Sequence, residues 1–209
     1  MKILIVGSSG FIGSRLAAAL ETAGHAVDRA ARSELDFTRI DPAAWRRRVA
    51  AHDVAINAAG LIREAGAQSF DAVHVRGPMA LFDACAAEGV AVVQLSALGA
   101  DEHAAGAFQR TKKSADDHLL ALDVPSLVLQ PSLVYGEGGA SARLFTMMAT
   151  LPLIPLPGEG TQQVQPVHVD DLVGAVVATV EKRAFTRERV AIVGPEPLGL
   201  RELLARLRL

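Results

Sequence analysis

The chain has 209 residues, of which 50% are apolar and 21% are charged, and its mean hydropathy is +0.27. This length and composition exclude a disordered chain and allow one buried core, or one domain with a small additional lobe. Lysine and arginine (21) nearly balance aspartate and glutamate (23), and the net charge of -2 gives no basic footprint of the kind that binds nucleic acid. We therefore expect no nucleic-acid partner.

Cysteine content and the first residues bear on the cellular compartment. Cys85 is the only cysteine, which rules out an intrachain disulfide and a cluster of thiolate metal ligands, so we predict no metal site. The first strand begins directly after Lys2 and leaves no room for a signal peptide, and no apolar run is long enough to span a membrane. These features predict a cytoplasmic protein without a membrane span.

A glycine-rich turn near the N-terminus is the most informative motif. Residues 3–6 form an apolar run, and the turn that follows reads Gly7-Ser8-Ser9-Gly10-Phe11-Ile12-Gly13, with glycines at i, i+3 and i+6. The pattern predicts a buried strand, a tight turn and a helix packed back on the strand. Glycines let backbone N–H groups approach a ligand, and a helix N-terminus attracts a pyrophosphate. The turn therefore predicts a dinucleotide site.

The end of the second predicted strand, residues 25–32, bears on the identity of the cofactor. In dinucleotide folds an acidic residue there binds the ribose 2′-hydroxyl of NAD, whereas an arginine accommodates the 2′-phosphate of NADP. Arg32 and Ser33 follow this strand and favour NADP(H). A register shift of one or two residues would present Asp28 or Arg29 instead, so NAD(H) remains an alternative.

Strand and helix patterns alternate through the next hundred residues. Short apolar runs predict strands over residues 35–37, 53–56, 90–95 and 126–130. Helical patterns lie between them, over residues 43–51, 70–88 and 107–120. Gly77-Pro78 predicts a kink within the second of these helices. The alternation predicts an α/β fold, a Rossmann-type doubly wound parallel sheet with helices on both faces.

Small or polar residues follow two of the predicted inner strands. Asn57-Ala58-Ala59-Gly60 comes after the strand at 53–56, and Ser96 comes after the strand at 90–95. Ligands of open α/β sheets bind outside the carboxyl ends of the strands. We therefore assign the first segment to cofactor contact and place Ser96 close to the chemistry.

The character of the chain changes after residue 136. We divide it into an NAD(P)-binding domain at 1–136 and a small, truncated C-terminal lobe at 137–209 that mixes lid elements with late elements of the sheet. The expected elements are a helical piece at 141–149, a proline-rich lid or surface crossing at 151–158, strands at 164–169 and 189–193, and helices at 170–182 and from 200 onward.

Six motifs taken together resemble the extended and atypical short-chain dehydrogenase/reductases. They are the glycine turn, Asn57-Ala58-Ala59-Gly60, Ser96-Ala97-Leu98-Gly99-Ala100, Thr111-Lys112, Gln130-Pro131-Ser132-Leu133-Val134-Tyr135-Gly136 and Val167-His168-Val169-Asp170-Asp171. The resemblance covers nearly the whole chain. It is closest to bacterial relatives of the NAD(P)-binding accessory subunit of respiratory complex I, near the NmrA-like and epimerase/dehydratase-like proteins.

The resemblance also implies roles for individual residues. Active members use a serine, a Tyr-x-x-x-Lys pair and often an asparagine. Ser96 matches the serine and Lys112 the lysine, but Phe108 stands in place of the tyrosine and His74 where an asparagine is common. Lys112 is then expected to bind the nicotinamide ribose. Further expected cofactor contacts are Asp36, Phe37, Pro131 and Ser132.

Two functions follow from these departures. The first is a nucleotide-binding protein with weak or absent oxidoreductase activity, in a redox-sensing or assembly role, because Phe108 has no proton to give. The alternative is an active NADP-dependent reductase or epimerase on a small carbonyl or nucleotide-sugar-like substrate, in which His103 or a bound water donates the proton. The intact glycine turn disfavours a purely structural fold. The substrate or protein partner is not identified, and a homodimer is left open.

Overall fold

The computed structural model describes residues 1–66, 68–139, 147 and 160–208. Its strands are β1 Lys2–Val6, β2 Ala26–Arg29, β3 Val54–Asn57, β4 Ala91–Leu95, β5 Ser126–Pro131, β6 Val134–Tyr135, β7 Gln163–Val164, β8 Val167–His168, β9 Arg189–Ile192 and β10 Leu198–Gly199. Six of them form one sheet in the order β2-β1-β3-β4-β5-β9, and every pairing in it is parallel. The predicted parallel, doubly wound sheet is confirmed.

Helices cover both faces of this sheet. They are α1 Phe11–Thr22, α2 Pro42–Val49, α3 Gly77–Glu88, α4 Ala107–Ala121, α5 Val169–Glu181 and α6 Leu200–Arg206. One core cluster joins Leu4 of β1 to side chains of α2, α3 and α4, and the other joins Ile3 and Ile5 to side chains of α1 and α5. Neighbouring residues of a strand point to opposite faces, so the apolar run of β1 serves both clusters.

Residues 35–37 are not the short strand that the sequence predicts. They lie in turns between β2 and α2, where the Asp36 carboxylate accepts hydrogen bonds from the backbone and hydroxyl of Thr38 (2.8 and 2.7 Å). Leu35 and Phe37 are nevertheless buried, and Phe37 packs against Trp45 with ring centroids 5.7 Å apart. The apolar residues therefore signal burial of a loop, and β1 pairs directly with β3.

The predicted helix at 70–88 consists of two segments of different helix type. A π-helical segment, Asp71–Arg76, leads into α3, which begins at Gly77 and ends before Gly89, where φ is 68°. Pro78 has no N–H group to continue the α-helical ladder, which accounts for a change at this point. Gly77 is also required for packing, because a Cβ atom there would lie 2.2 Å from Cγ of Phe37.

The C-terminal residues contribute to the main sheet and to two small ones. The single strand predicted at 164–169 is instead two strands separated by Pro166: β7 pairs with β10, and β8 pairs with β6. The strand predicted at 189–193 is β9, which lies beside β5. The helical piece expected at 141–149 lies outside the described residues apart from Met147, and the proline-rich segment 151–158 lies wholly outside them.

Two kinds of feature are absent from the described residues. No helix among them has the length and apolar character needed to cross a bilayer. The described part of the chain also holds no group of three or more His, Cys, Asp or Glu side chains arranged to bind a metal ion.

Candidate functional site

The glycine turn closes tightly at the carboxyl end of β1. Gly7 has a φ of 81°, and its carbonyl accepts a hydrogen bond from the Gly10 N–H (3.0 Å). A Cβ atom on Gly7 would lie 2.6 Å from the Ala59 nitrogen, and one on Gly13 would lie 2.2 Å from the Gly7 oxygen. Gly10 begins α1 without a side-chain cap, so no side chain covers the N–H groups of the first helical turn. This geometry suits an anion.

A first cleft of about 310 Å³ lies between this turn and the end of β2. It is lined by Val6, Gly7, Ser8, Ser9, Gly10, Ala30, Ala31, Arg32, Leu35, Asp36, Phe37, Thr38, Ala58, Ala59, Gly60, Leu61 and Val73. Six of the residues assigned to the cofactor on the glycine turn and near β2 therefore meet here: Gly7, Ser9, Gly10, Arg32, Asp36 and Phe37. Ser33 is exposed in the turn after β2 and is not part of the lining.

A second cleft of about 430 Å³ continues from the first. Its predicted members are Gly10, Phe11, Ile12, Ala58, Ala59, Gly60, Ser96, Phe108, Lys112, Pro131 and Ser132. The two clefts share Gly10, Ala58, Ala59, Gly60 and Leu61, and together we call them the groove. The groove crosses the carboxyl ends of β1, β3, β4 and β5, at the β1/β3 junction where the strand order reverses, which is the usual ligand position in such sheets.

The alternatives to Arg32 at the end of β2 have other partners. Arg48 binds the Asp28 carboxylate through two hydrogen bonds of 2.6 and 2.7 Å, which holds the pKa of Asp28 below its ordinary value, and His52 lies 3.1 Å away. Arg29 pairs with Glu21 at 3.0 Å. Neither Asp28 nor Arg29 lines the groove, whereas Arg32 does.

Lys112 projects from α4 into the base of the second cleft. Only 5% of the residue is exposed, and its Nζ donates to the carbonyl oxygen of Leu95 at 3.0 Å. Burial lowers the pKa of Lys112 to about 8, against the opposing effect of Asp116. Gly60 leaves room for the ammonium group, since a Cβ atom at that position would lie 3.3 Å from Nζ.

Ser96 is bonded to a carboxylate that the sequence analysis missed. The Ser96 hydroxyl donates to Oδ2 of Asp116, and the two residues are 7% and 0% exposed. Burial raises the pKa of Asp116 to about 6, although the Ser96 hydrogen bond and the charge of Lys112 both lower it. The available signal was spacing, because Asp116 follows Lys112 by four residues and so shares its helix face.

Phe108 lies one helical turn before Lys112 and also lines the second cleft. Its ring stands edge-on to the rings of His74 and Phe70, with centroids 5.2 and 6.0 Å apart. The Nε2 of His74 accepts from the Leu61 N–H (3.0 Å), so the proton is on Nδ1, 3.1 Å from the Thr111 hydroxyl. Burial, then the charge of Lys112, lowers the pKa of His74 to about 3, and this histidine is neutral.

Three other residues predicted to act in the site do not present a free side chain to the groove. Asn57 is fully buried and outside the groove lining; its amide donates to Gln94 (2.8 Å) and its oxygen accepts from the Ala59 N–H (3.1 Å). It therefore fixes the turn that the groove uses. Ser132 lines the second cleft, but its hydroxyl donates to the Gln165 carbonyl. His103 is exposed and is not among the lining residues.

Comparison with known families agrees with this geometry. The model of the NAD dependent epimerase/dehydratase family matches residues 3–194. The chain belongs to this family. Membership of this family supports a nicotinamide dinucleotide as the cofactor class of the protein, and the epimerase/dehydratase-like part of the predicted resemblance is confirmed. The closer resemblance to relatives of the complex I accessory subunit stays a prediction.

Several curated proteins are similar in sequence. The ceramide reductase of Caulobacter vibrioides is 28% identical over 190 residues, and the alignment covers 84% of this chain and 60% of that protein. A dTDP-4-dehydrorhamnose reductase of Mycolicibacterium smegmatis is 30% identical over 204 residues, covering 86% and 60%. The chain thus spans about three-fifths of the length of these relatives.

Solved structures share the fold at low sequence identity. The dTDP-4-dehydrorhamnose reductase of Clostridium acetobutylicum superimposes with a TM-score of 0.84 at 18% identity, covering 99% of this chain and 79% of that one. The Bacillus cereus UDP-glucuronic acid 4-epimerase in complex with NAD gives 0.75 at 22% identity, covering 99% and 82%. The Bacillus anthracis dTDP-4-dehydrorhamnose reductase in complex with NADP gives 0.80 at 14%, covering 99% and 80%.

Proposed function

We propose that this protein binds NADP(H) along the groove and has weak or absent oxidoreductase activity. Phe108 carries the proposal. Its ring lines the second cleft one helical turn from Lys112, where the family pattern has a tyrosine hydroxyl that exchanges a proton with the substrate. A phenylalanine keeps the shape of the site and removes the proton.

The other polar groups near Phe108 already have hydrogen-bond partners in the protein. Lys112 is the one titratable side chain among the described residues that line the second cleft, and its ammonium is held at the Leu95 carbonyl. The hydroxyls of Ser96 and Ser132 donate to Asp116 and to the Gln165 carbonyl. Neutral His74 is bonded through both ring nitrogens. In this proposal Lys112 binds ribose hydroxyls and offsets cofactor charge, without proton transfer.

The alternative function is an active NADP-dependent reductase or epimerase. It is favoured by the position of Ser96 and Lys112, which both line the second cleft, and by the reductases among the similar proteins. It needs a proton donor in place of the tyrosine. The exposed position of His103 outside the lining argues against that residue, which leaves a bound water as the donor.

A thermal-shift series with NADPH and NADH tests the binding half of the proposal. A ligand that binds only the folded state raises the melting temperature in proportion to the logarithm of its concentration above Kd. We expect both cofactors to stabilise the protein and NADPH to do so at lower concentration. A melting temperature that neither cofactor changes would contradict dinucleotide binding and leave a purely structural or assembly role.

Substitution of Arg32 by alanine tests the cofactor preference. We expect Arg32→Ala to weaken NADPH binding by about 10- to 100-fold, since a charge-assisted hydrogen bond contributes about 1.5–3 kcal/mol. NADH has no 2′-phosphate, so its affinity should not change. Calorimetric titration of both cofactors measures this, and the NADPH preference should decline as salt rises.

Arg29→Ala is the matched control, because Arg29 is the last residue of β2 but pairs with Glu21 and lies outside the groove. Its two affinities should equal those of the wild type. An Arg32→Ala variant that lost NADPH and NADH affinity by the same factor would show that Arg32 does not contact the 2′-phosphate.

A further inference from the structure

Asp116 is a fully buried carboxylate that lies outside the groove but interacts with two residues that line it. It is not among the lining residues of the groove, yet its Oδ2 accepts a hydrogen bond from the Ser96 hydroxyl and its charge acts on Lys112, and both of those residues line the second cleft. Its second oxygen, Oδ1, is buried without a hydrogen-bond partner. A buried carboxylate is costly unless it is compensated, so this placement calls for a reason.

We propose that Asp116 is a positioning residue that keeps the Lys112 ammonium charged and orients the Ser96 hydroxyl so that it accepts hydrogen bonds from a ligand. The inference rests on the proposed function, in which Lys112 and Ser96 contact the cofactor or substrate.

The direction of the Ser96 hydrogen bond limits what this hydroxyl can offer a ligand. A serine hydroxyl has one proton and two lone pairs. While Asp116 is ionised, the Ser96 O–H donates its hydrogen bond to Oδ2, and only the lone pairs of the Ser96 oxygen remain for a ligand in the groove. Ser96 can then accept from an amide N–H, a ribose hydroxyl or an alcohol, but it cannot donate to a carbonyl oxygen. Carbonyl reduction is therefore disfavoured for two reasons: Phe108 has no hydroxyl, and the Ser96 hydroxyl does not point its proton at a carbonyl oxygen.

The charge on Lys112 depends on Asp116. Burial disfavours the ammonium form, and the Leu95 carbonyl supplies a single neutral hydrogen bond. Asp116 lies four residues further along α4 and opposes the effect of burial. His74, which faces Lys112 from the π-helical segment, is neutral and provides no counter-charge.

The surroundings of Asp116 include one further cation. Arg189 of β9 also lowers the pKa of Asp116 through its charge, and its guanidinium is hydrogen-bonded to Asp117. The Ser96 hydroxyl after β4 donates to Oδ2, and the side chain of Gln130 in β5 also favours the carboxylate. Asp116 is thus held ionised at neutral pH from three elements, and Lys112 shares its helix.

Direct titration of the lysines tests the proposal without a cofactor. The chain has only four lysines, so ¹³C-lysine labelling gives four Cε signals, of which Lys112 is assigned with Lys112→Arg. We expect Asp116→Asn to lower the pKa of Lys112 from about 8 by about one to three pH units, the usual effect of losing a nearby opposite charge. A drop of about 1.5 would reduce the charged fraction at pH 7.5 from about three-quarters to about one-tenth, and NADPH affinity by a similar factor.

Asp123→Asn is the control for loss of a carboxylate, since Asp123 is exposed and pairs with Arg187 at 3.0 Å, away from Asp116 and its partners. It should leave the Lys112 titration unchanged. Ser96→Ala provides a second measurement if the asparagine variant folds poorly. In this variant Asp116 loses a hydrogen bond that favours its ionised form, so the pKa of Asp116 should rise above about 6. The Lys112 Cε signal senses the charge on Asp116, so the low-pH inflection that this titration produces in the signal should move to higher pH.

The outcomes separate this inference from the proposed function. An unchanged Lys112 titration in Asp116→Asn, or an unchanged low-pH inflection in Ser96→Ala, would overturn the positioning role. If the titrations shift as expected but wild-type protein does not bind NADPH, the role of Asp116 stands and the proposed function fails.

Discussion

Gly10→Val is expected to abolish dinucleotide binding and to leave the fold intact. Gly10 lines both clefts, and a Cβ atom there would lie 3.3 Å from the Gly7 oxygen, a close contact that small shifts can relieve. The branched side chain would instead occupy the space through which a pyrophosphate reaches the start of α1. Overpacking of this kind costs about 1–3 kcal/mol or more, which is roughly a 5- to 150-fold loss of affinity at least.

The choice of Gly10 matters for this test. Side chains at Gly7 and Gly13 would collide with backbone atoms at 2.6 and 2.2 Å, so those substitutions would disturb folding as well as binding. Gly174→Val is the matched control, because Gly174 lies in α5 with no atom within 4 Å of the added Cβ. Calorimetry measures NADPH binding and circular dichroism measures the fold. Wild-type affinity in a folded Gly10→Val variant would refute this site.

Phe108→Tyr is expected to raise carbonyl reductase activity above the weak or absent activity proposed for the wild type. General acid–base catalysis contributes about 10²–10⁴ in rate, and a tyrosine hydroxyl beside the Lys112 ammonium would have a lowered pKa suited to proton transfer. We expect NADPH-dependent reduction of simple aldehydes or ketones to rise by at least the lower end of that range. Absorbance at the NADPH band follows the reaction.

Phe70→Tyr is the control for this substitution. Phe70 belongs to the same aromatic cluster, with its ring 6.0 Å from that of Phe108, but it does not line the second cleft. A hydroxyl there should give no activity. Equal gains in the two variants would show that the effect does not depend on the tyrosine position. Full NADPH affinity with no gain in Phe108→Tyr would contradict the expectation that a tyrosine hydroxyl beside Lys112 is sufficient for proton transfer while the Ser96 hydroxyl donates to Asp116.

The sequence predicted the fold well where one physical cause produced the pattern. Residues 3–6 are an apolar run because β1 is covered on both faces, and Gly7 and Gly13 are glycines because no Cβ fits beside Ala59 and the Gly7 carbonyl. Such local constraints can be recognised from composition and spacing. The error at residues 35–37 arose because apolar side chains report burial, and Leu35 and Phe37 are buried from a loop.

The site was predicted less completely because side-chain direction depends on tertiary contacts. Asp116 and Asp117 are adjacent acids on a helix and look alike in the sequence, but Asp116 points to Ser96 and Asp117 pairs with Lys113 at the surface. Asn57 likewise follows β3 as expected, yet its side chain turns inward to Gln94. Arg32 could be separated from Asp28 and Arg29 only once the partners of those two residues were known.

NADPH oxidation by wild-type protein saturated with the cofactor distinguishes a binding protein from an active reductase. The change in NADPH fluorescence on binding reports saturation, and absorbance then follows oxidation after addition of aldehydes, ketones, quinones or nucleotide sugars. We expect a saturable fluorescence change and no robust oxidation with any of these compounds. Vigorous oxidation with any one of them would contradict the proposal that this protein binds NADP(H) with little or no redox chemistry.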